Sequence, residues 1–82
     1  MNLTFSSNGT NYTATAQDIF MDNGARKTFI RGGKQAGTYA TAIAITDREW
    51  QRIKPQLNQV DYEAYYGRKP LVNGVNIYQI KQ

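Results

Sequence analysis

From Thr38 to Ile45 the chain alternates, and at Thr46 the period of its apolar positions changes. Tyr39, Thr41, Ile43 and Ile45 fall on one side and Thr38, Ala40, Ala42 and Ala44 on the other, the two-residue period of a strand. Thr46-Asp47-Arg48-Glu49 then has the T-x-x-E form of a capping box, in which the Thr hydroxyl and the Glu carboxylate satisfy N–H groups left over at a helix start. Trp50, Ile53 and Leu57 follow at steps of three and four, so one helical stripe is apolar. A helix is therefore predicted over about 47–58, with a kink or restart at Pro55, which lacks an N–H and clashes with the carbonyl four residues back. The small Ala40, Ala42 and Ala44 side chains leave room for the Trp50 stripe, so sheet and helix are expected to meet across the alanine face.

Upstream, residues 2–7 and 10–16 are Thr-rich and alternate around Asn8-Gly9, a type I′ turn signal. A two-residue turn sets Leu3 opposite Ala14, Thr4 opposite Thr13 and Phe5 opposite Tyr12, matching apolar with apolar and hydroxyl with hydroxyl. Asn23-Gly24 marks a second hairpin. A two-residue turn there would face Phe20 with Lys27 and Phe29 with Asp18. A four-residue loop, Asn23 to Arg26, instead pairs Phe20 with Phe29, Ile19 with Ile30, Asp18 with Arg31 and Asp22 with Lys27, and that register is expected.

Downstream, Val60, Tyr62, Ala64 and Tyr66 alternate with Asp61, Glu63 and Tyr65, which favours a strand. A competing helical spacing puts Tyr62, Tyr65 and Tyr66 on one face with Gly67 as the stop, and both readings stand. Gly67 to Pro70 reads as a basic loop, Asn73-Gly74 as a turn, and Val75 to Lys81 as the last strand. The order predicts one α+β domain over 1–82: a small antiparallel sheet of five or six strands with one inserted helix. The same order admits the partly closed barrel of an OB-fold.

Eighty-two residues bury only about 60–65% of their unfolded surface, which allows one thin core, and six Tyr, three Phe and one Trp supply much of its area. The chain has no Cys, hence no disulfide, thiolate nucleophile or cysteine zinc site. Neither a signal-peptide pattern nor an apolar run of about 20 residues is present, so a soluble, cytoplasmic protein without a membrane partner is expected. The Asn-x-Thr triplets at Asn2, Asn8 and Asn11 would be glycosylated only on a secreted chain. A net charge of +4 leans mildly toward polyanionic or acidic partners.

Histidine is absent, which removes the commonest general base and metal ligand, and no enzymatic activity, catalytic residue, metal or cofactor is expected. Asp18 and Asp22 are read as hairpin partners of basic residues, Asp47 and Glu49 as first-turn helix acids, and Asp61 and Glu63 as outward strand positions. Arg31-Gly32-Gly33-Lys34 lacks P-loop spacing. Tyr65-Tyr66 lacks the companions of a tyrosine nucleophile and reads as packing or interface rings.

Two binding surfaces emerge. Arg26, Lys27, Arg31 and Lys34 form an acid-free run with Phe29 inside it and Tyr39 after it, the mixture that tracks phosphates and stacks bases. A solvated hairpin edge carrying charges against aggregation gives the same pattern. The expected function is a small nucleic-acid-binding module using those six residues. The alternative is a protein-binding inhibitor or adaptor, of the kind phages and plasmids encode, using Tyr62, Tyr65, Tyr66, Arg68 and Tyr78, since Tyr and Arg are enriched at interface hot spots. The partner is accordingly nucleic acid or an acidic protein surface, and an exposed sheet edge offers a route to a homodimer.

Overall fold

The structure, a computed structural model, describes residues 2–33 and 42–81. The first hairpin forms as its turn chemistry dictates: β1 (Leu3–Ser7) and β2 (Thr10–Ala14) pair Leu3 with Ala14, Thr4 with Thr13 and Phe5 with Tyr12. Asn8 (φ 51°) and Gly9 (φ 80°) both adopt the left-handed backbone that a type I′ turn requires. This hairpin is a separate two-stranded sheet.

A five-stranded antiparallel sheet contains the remaining strands, β3 (Ile19–Asp22), β4 (Lys27–Ile30), β5 (Ala42–Ile45), β6 (Leu57–Val60) and β7 (Asn76–Ile80), in the order β5-β4-β3-β7-β6. The four-residue loop gives the expected second-hairpin register: Ile19 faces Ile30, Phe20 faces Phe29 and Asp22 faces Lys27. Its turn is pinned by side chains, with Asp22 Oδ1 accepting from Gly24 N–H (2.8 Å) and Asn23 Oδ1 from Arg26 N–H (2.7 Å). The α+β class holds. Among the described residues, seven strands in two sheets replace the expected five or six in one, and the five-stranded sheet is open with β5 and β6 at its edges rather than closed as an OB-like barrel.

Helix α1 (Asp47–Ile53) starts at Thr46, whose Oγ1 accepts from Glu49 N–H at 3.2 Å. Pro55 restarts the chain as a 3-10 turn, Lys54–Gln56, and β6 begins at Leu57, so the helical segment is shorter than 47–58. Trp50, Ile53 and Leu57 enter one cluster with Leu3, Phe5, Ala14, Phe20, Phe29, Ile45, Tyr78 and Ile80. This corrects the expected packing across the alanines. The register places Ala42 and Ala44 on the opposite face, where Ala42 is half-buried and Ala44 exposed, while Ala40 lies outside the described residues. Burial scales with apolar area, and covering a face of rings and Ile45 removes far more of it from water than covering alanines.

Residues 60–66 resolve the open alternative. Only Val60 is strand, and Tyr62–Tyr66 forms a short helix, α2. Alternation could not outweigh the caps: Asp61 Oδ1 accepts from Glu63 and Ala64 N–H (3.0 and 3.3 Å), and Gly67 closes the helix in the left-handed region (φ 76°). Among the described residues no helix is long and apolar enough to cross a membrane.

Candidate functional site

The glutamate of the capping box does not turn back to Thr46. Its Oε2 accepts from Ser6 N–H (2.8 Å), Arg52 forks onto both carboxylate oxygens (2.7 and 2.9 Å), and Arg52 Nη2 donates onward to the Thr4 carbonyl (2.8 Å). Two helix side chains thus satisfy alternate backbone groups along the outer edge of β1, as a neighbouring strand would. The bond from Arg52, followed by that from Ser6, holds the Glu49 carboxyl at about 2, well under its ordinary 4.5. Arg52 is raised by the same partner. This clasp fixes the first hairpin against α1 and takes Arg52 out of the pool of cations open to a ligand.

The basic hairpin is less available than its sequence implies. Lys27 Nζ lies 3.8 Å from Asp22 and 3.7 Å from Asp47 and donates to the Gly24 carbonyl at 3.3 Å. Arg31 pairs with buried Asp18 at 3.9 Å, donates to the Thr13 carbonyl at 3.2 Å and lies 5.2 Å from the centre of the Phe29 ring. Asp18 in turn accepts from the Thr15 and Gly32 N–H groups, both at 2.7 Å, so this end of the sheet is knitted by charge. Phe29 was expected to stack on bases. It is fully buried against Phe5 (5.0 Å) and Phe20 (5.2 Å) and offers no face to a ligand. Its neighbour across the hairpin, Phe20, already signalled that core role. Arg26 is exposed, and Lys34 and Tyr39 lie outside the described residues.

Other cations remain open. Arg26, Arg48, Lys54, Arg68, Lys69 and Lys81 are exposed and make no ion pair among the described residues. Strand direction gathers part of this set: Asp22 faces Asn76 and Lys27 faces Ile45. The Arg26 loop, the start of α1 with Arg48, and the approach of the chain into β7 therefore share one end of the sheet.

The tyrosine-rich segment divides differently. Tyr78 was expected on a surface, yet it is buried edge-on against Trp50 at 5.3 Å, and burial, with the charge of Asp22 adding, pushes its phenol upward. Tyr62, Tyr65 and Tyr66 are half-buried over Ile19, Met21, Ile30 and Ile77 on the face opposite α1. Tyr66 sits 4.7 Å from Tyr62 and 4.9 Å from Tyr65, so the three rings form one layer. Gly33 seats it. At φ +50°, a Cβ there would collide with the Tyr65 hydroxyl and come within 2.6 Å of the Gln17 carbonyl oxygen and 3.1 Å of Ile19.

After α2 the chain leaves this layer and returns to it at Val75, which packs on the same cluster. Between those anchors Arg68 and Lys69 are exposed, and Leu71 (99% exposed) and Val72 (62%) are the exposed large hydrophobics among the described residues. Sequence reading missed this pair. The available signal was two bulky apolar residues set between Pro70 and Asn73-Gly74, in a stretch with no partner strand to bury them. Among the described residues no three carboxylates come together in a way that would hold a metal ion. No protein-family model matches the chain, and no curated protein or solved structure matches it either.

Proposed function

We propose that this chain is a non-enzymatic module that binds a protein through the α2 face of its sheet, blocking or recruiting the partner. One observation carries the reading: α2 covers its side of the sheet with Tyr62, Tyr65 and Tyr66 left half-exposed, and the loop that follows adds exposed Arg68, Leu71 and Val72. Tyr and Arg are the residue types that dominate binding hot spots, and rigid rings lose little conformational freedom on contact. On the other face Phe5, Phe20, Phe29, Trp50 and Tyr78 are buried between the sheet, α1 and the first hairpin, and among the described rings there only Tyr12 is half-exposed. The test is co-purification of the tagged chain from its own cells, with and without nuclease. A protein partner that survives nuclease and is captured about tenfold less by the Arg68→Glu variant is expected. Equal capture by that variant, or loss of all partners with nuclease, overturns the reading.

Nucleic-acid contact is a second reading, supported by the net charge of +4 and by the position of exposed Arg26 and Arg48 at the same end of the sheet. It no longer includes stacking on Phe29. Binding of this kind weakens steeply as salt rises, so a salt titration against single- and double-stranded oligonucleotides decides it. A flat response, or no binding near physiological ionic strength, removes it.

A further inference from the structure

Resting on the protein-binding reading, we infer that the loop between Tyr66 and Val75 is a plug: Leu71 and Val72 enter an apolar pocket of an acidic protein partner, and Arg68 and Lys69 pair with carboxylates on its rim. Scattered single apolar residues on a surface need no explanation. Here two consecutive bulky ones stand in water at the tip of a loop whose two ends, Tyr66 and Val75, are anchored in the same apolar cluster. The tip is also constrained before any partner arrives. Pro70 fixes one φ ahead of it, and Gly74 at φ 87° turns the chain behind it, which lowers the entropy lost on docking.

Charge identifies the occupant. From Ala64 to Gln82 the sequence contains no acidic side chain, only Arg68, Lys69 and Lys81, and neither Arg68 nor Lys69 has an ion-pair partner among the described residues. A complementary surface is therefore acidic around an apolar centre. An anionic membrane fits less well. It would meet the exposed carboxylates of Asp61 and Glu63 on α2 together with the cations, and a nucleic-acid backbone would meet them too, whereas a protein pocket can be acidic around the loop alone.

The experiment places photoreactive p-benzoylphenylalanine at position 71 or, on exposed α2, at position 63, irradiates the full chain in its own cells, and maps the adducts by mass spectrometry. An adduct from position 71 to one protein, at a site lined by apolar residues with Asp or Glu around them, is expected. Adding Arg68→Glu and Lys69→Glu should reduce that adduct about tenfold without shifting the unfolding midpoint, because both side chains are exposed. An adduct from position 63 but not 71 overturns the plug and leaves the protein-binding reading standing. Adducts from 71 to lipid, to nucleic acid or to a second copy of the chain overturn it as well. No adduct to another protein from either position defeats both.

Discussion

The two faces of the five-stranded sheet are covered in opposite ways. On one, Trp50 and Ile53 of α1 and Leu3 and Phe5 of the first hairpin close over Phe20, Phe29 and Tyr78, and each of these residues is nearly or fully buried. On the other, a helix of five residues lays three tyrosines over Ile19, Met21, Ile30 and Ile77 and leaves all three half-exposed. Aromatic residues serve both faces, but on the first Phe5, Phe20, Phe29, Trp50 and Tyr78 are buried and Tyr12 alone of the described rings is half-exposed, whereas on the second every described ring is half-exposed. Both faces bury apolar residues, but the face sealed by Trp50 buries more of them and so carries more of the stability, while the tyrosine face keeps rings within reach of a partner.

Trp50→Ala is the largest expected perturbation of that contrast. It removes the ring that touches Tyr78 and joins α1 to the sheet, and truncating a buried Trp costs about 3–5 kcal/mol. Urea unfolding should show a loss of that size. A loss below about 1 kcal/mol would mean that the α1 face is not the sealed one.

Gly33→Ala probes the other face and ranks second. The left-handed backbone at φ +50° and the close Gln17 carbonyl together predict a loss of about 1–3 kcal/mol. The clash includes the Tyr65 hydroxyl, so amide exchange should quicken in α2 more than in α1. Equal quickening in both would show that the faces are coupled as one unit and would blunt the contrast.

Local chemistry was legible where it was self-contained. Asn8-Gly9 and the Asp22–Lys27 and Phe20–Phe29 pairs set both hairpin registers, because turn type and cross-strand matching are read within a dozen residues. The Trp50 stripe was legible as buried, but not the face it buries against, since that depends on how α1 leaves β5 and on which side holds more apolar area. The Asp61 and Gly67 caps carried the helix that alternation obscured. For the candidate sites, residue type was visible and availability was not. Phe29 and Tyr78 look like ligand-facing rings until sheet order puts them inside, the Asp22–Lys27 and Asp18–Arg31 pairs were readable from the hairpin register whereas the approach of Asp47 to Lys27 was not, and Leu71 stands out only when nothing folds over it.

The weakest perturbation is acid, and it acts on the clasp that holds the sealed face shut. Glu49 titrates at about 2 in the folded chain against an ordinary 4.5, because Arg52 and the Ser6 N–H hold its charged form. The folded state therefore binds that proton less readily than the unfolded state, so the contribution is complete above about pH 4.5, declines as pH falls, and is gone below about 2. Glu49 is accessible to water at this site, so solvent and salt screen the pair and its share of stability stays small. Glu49→Gln isolates it from the other carboxylates. The stability gap between wild type and this variant should close as pH falls from 4.5 toward 2, and it should narrow in high salt at neutral pH. A gap that stays constant with pH would mean that the Glu49 charge adds nothing to the clasp and that the first hairpin is held by the packing of Leu3, Phe5 and Ala14 and by bonds such as those of Ser7 to the Ala44 carbonyl and Arg31 to the Thr13 carbonyl.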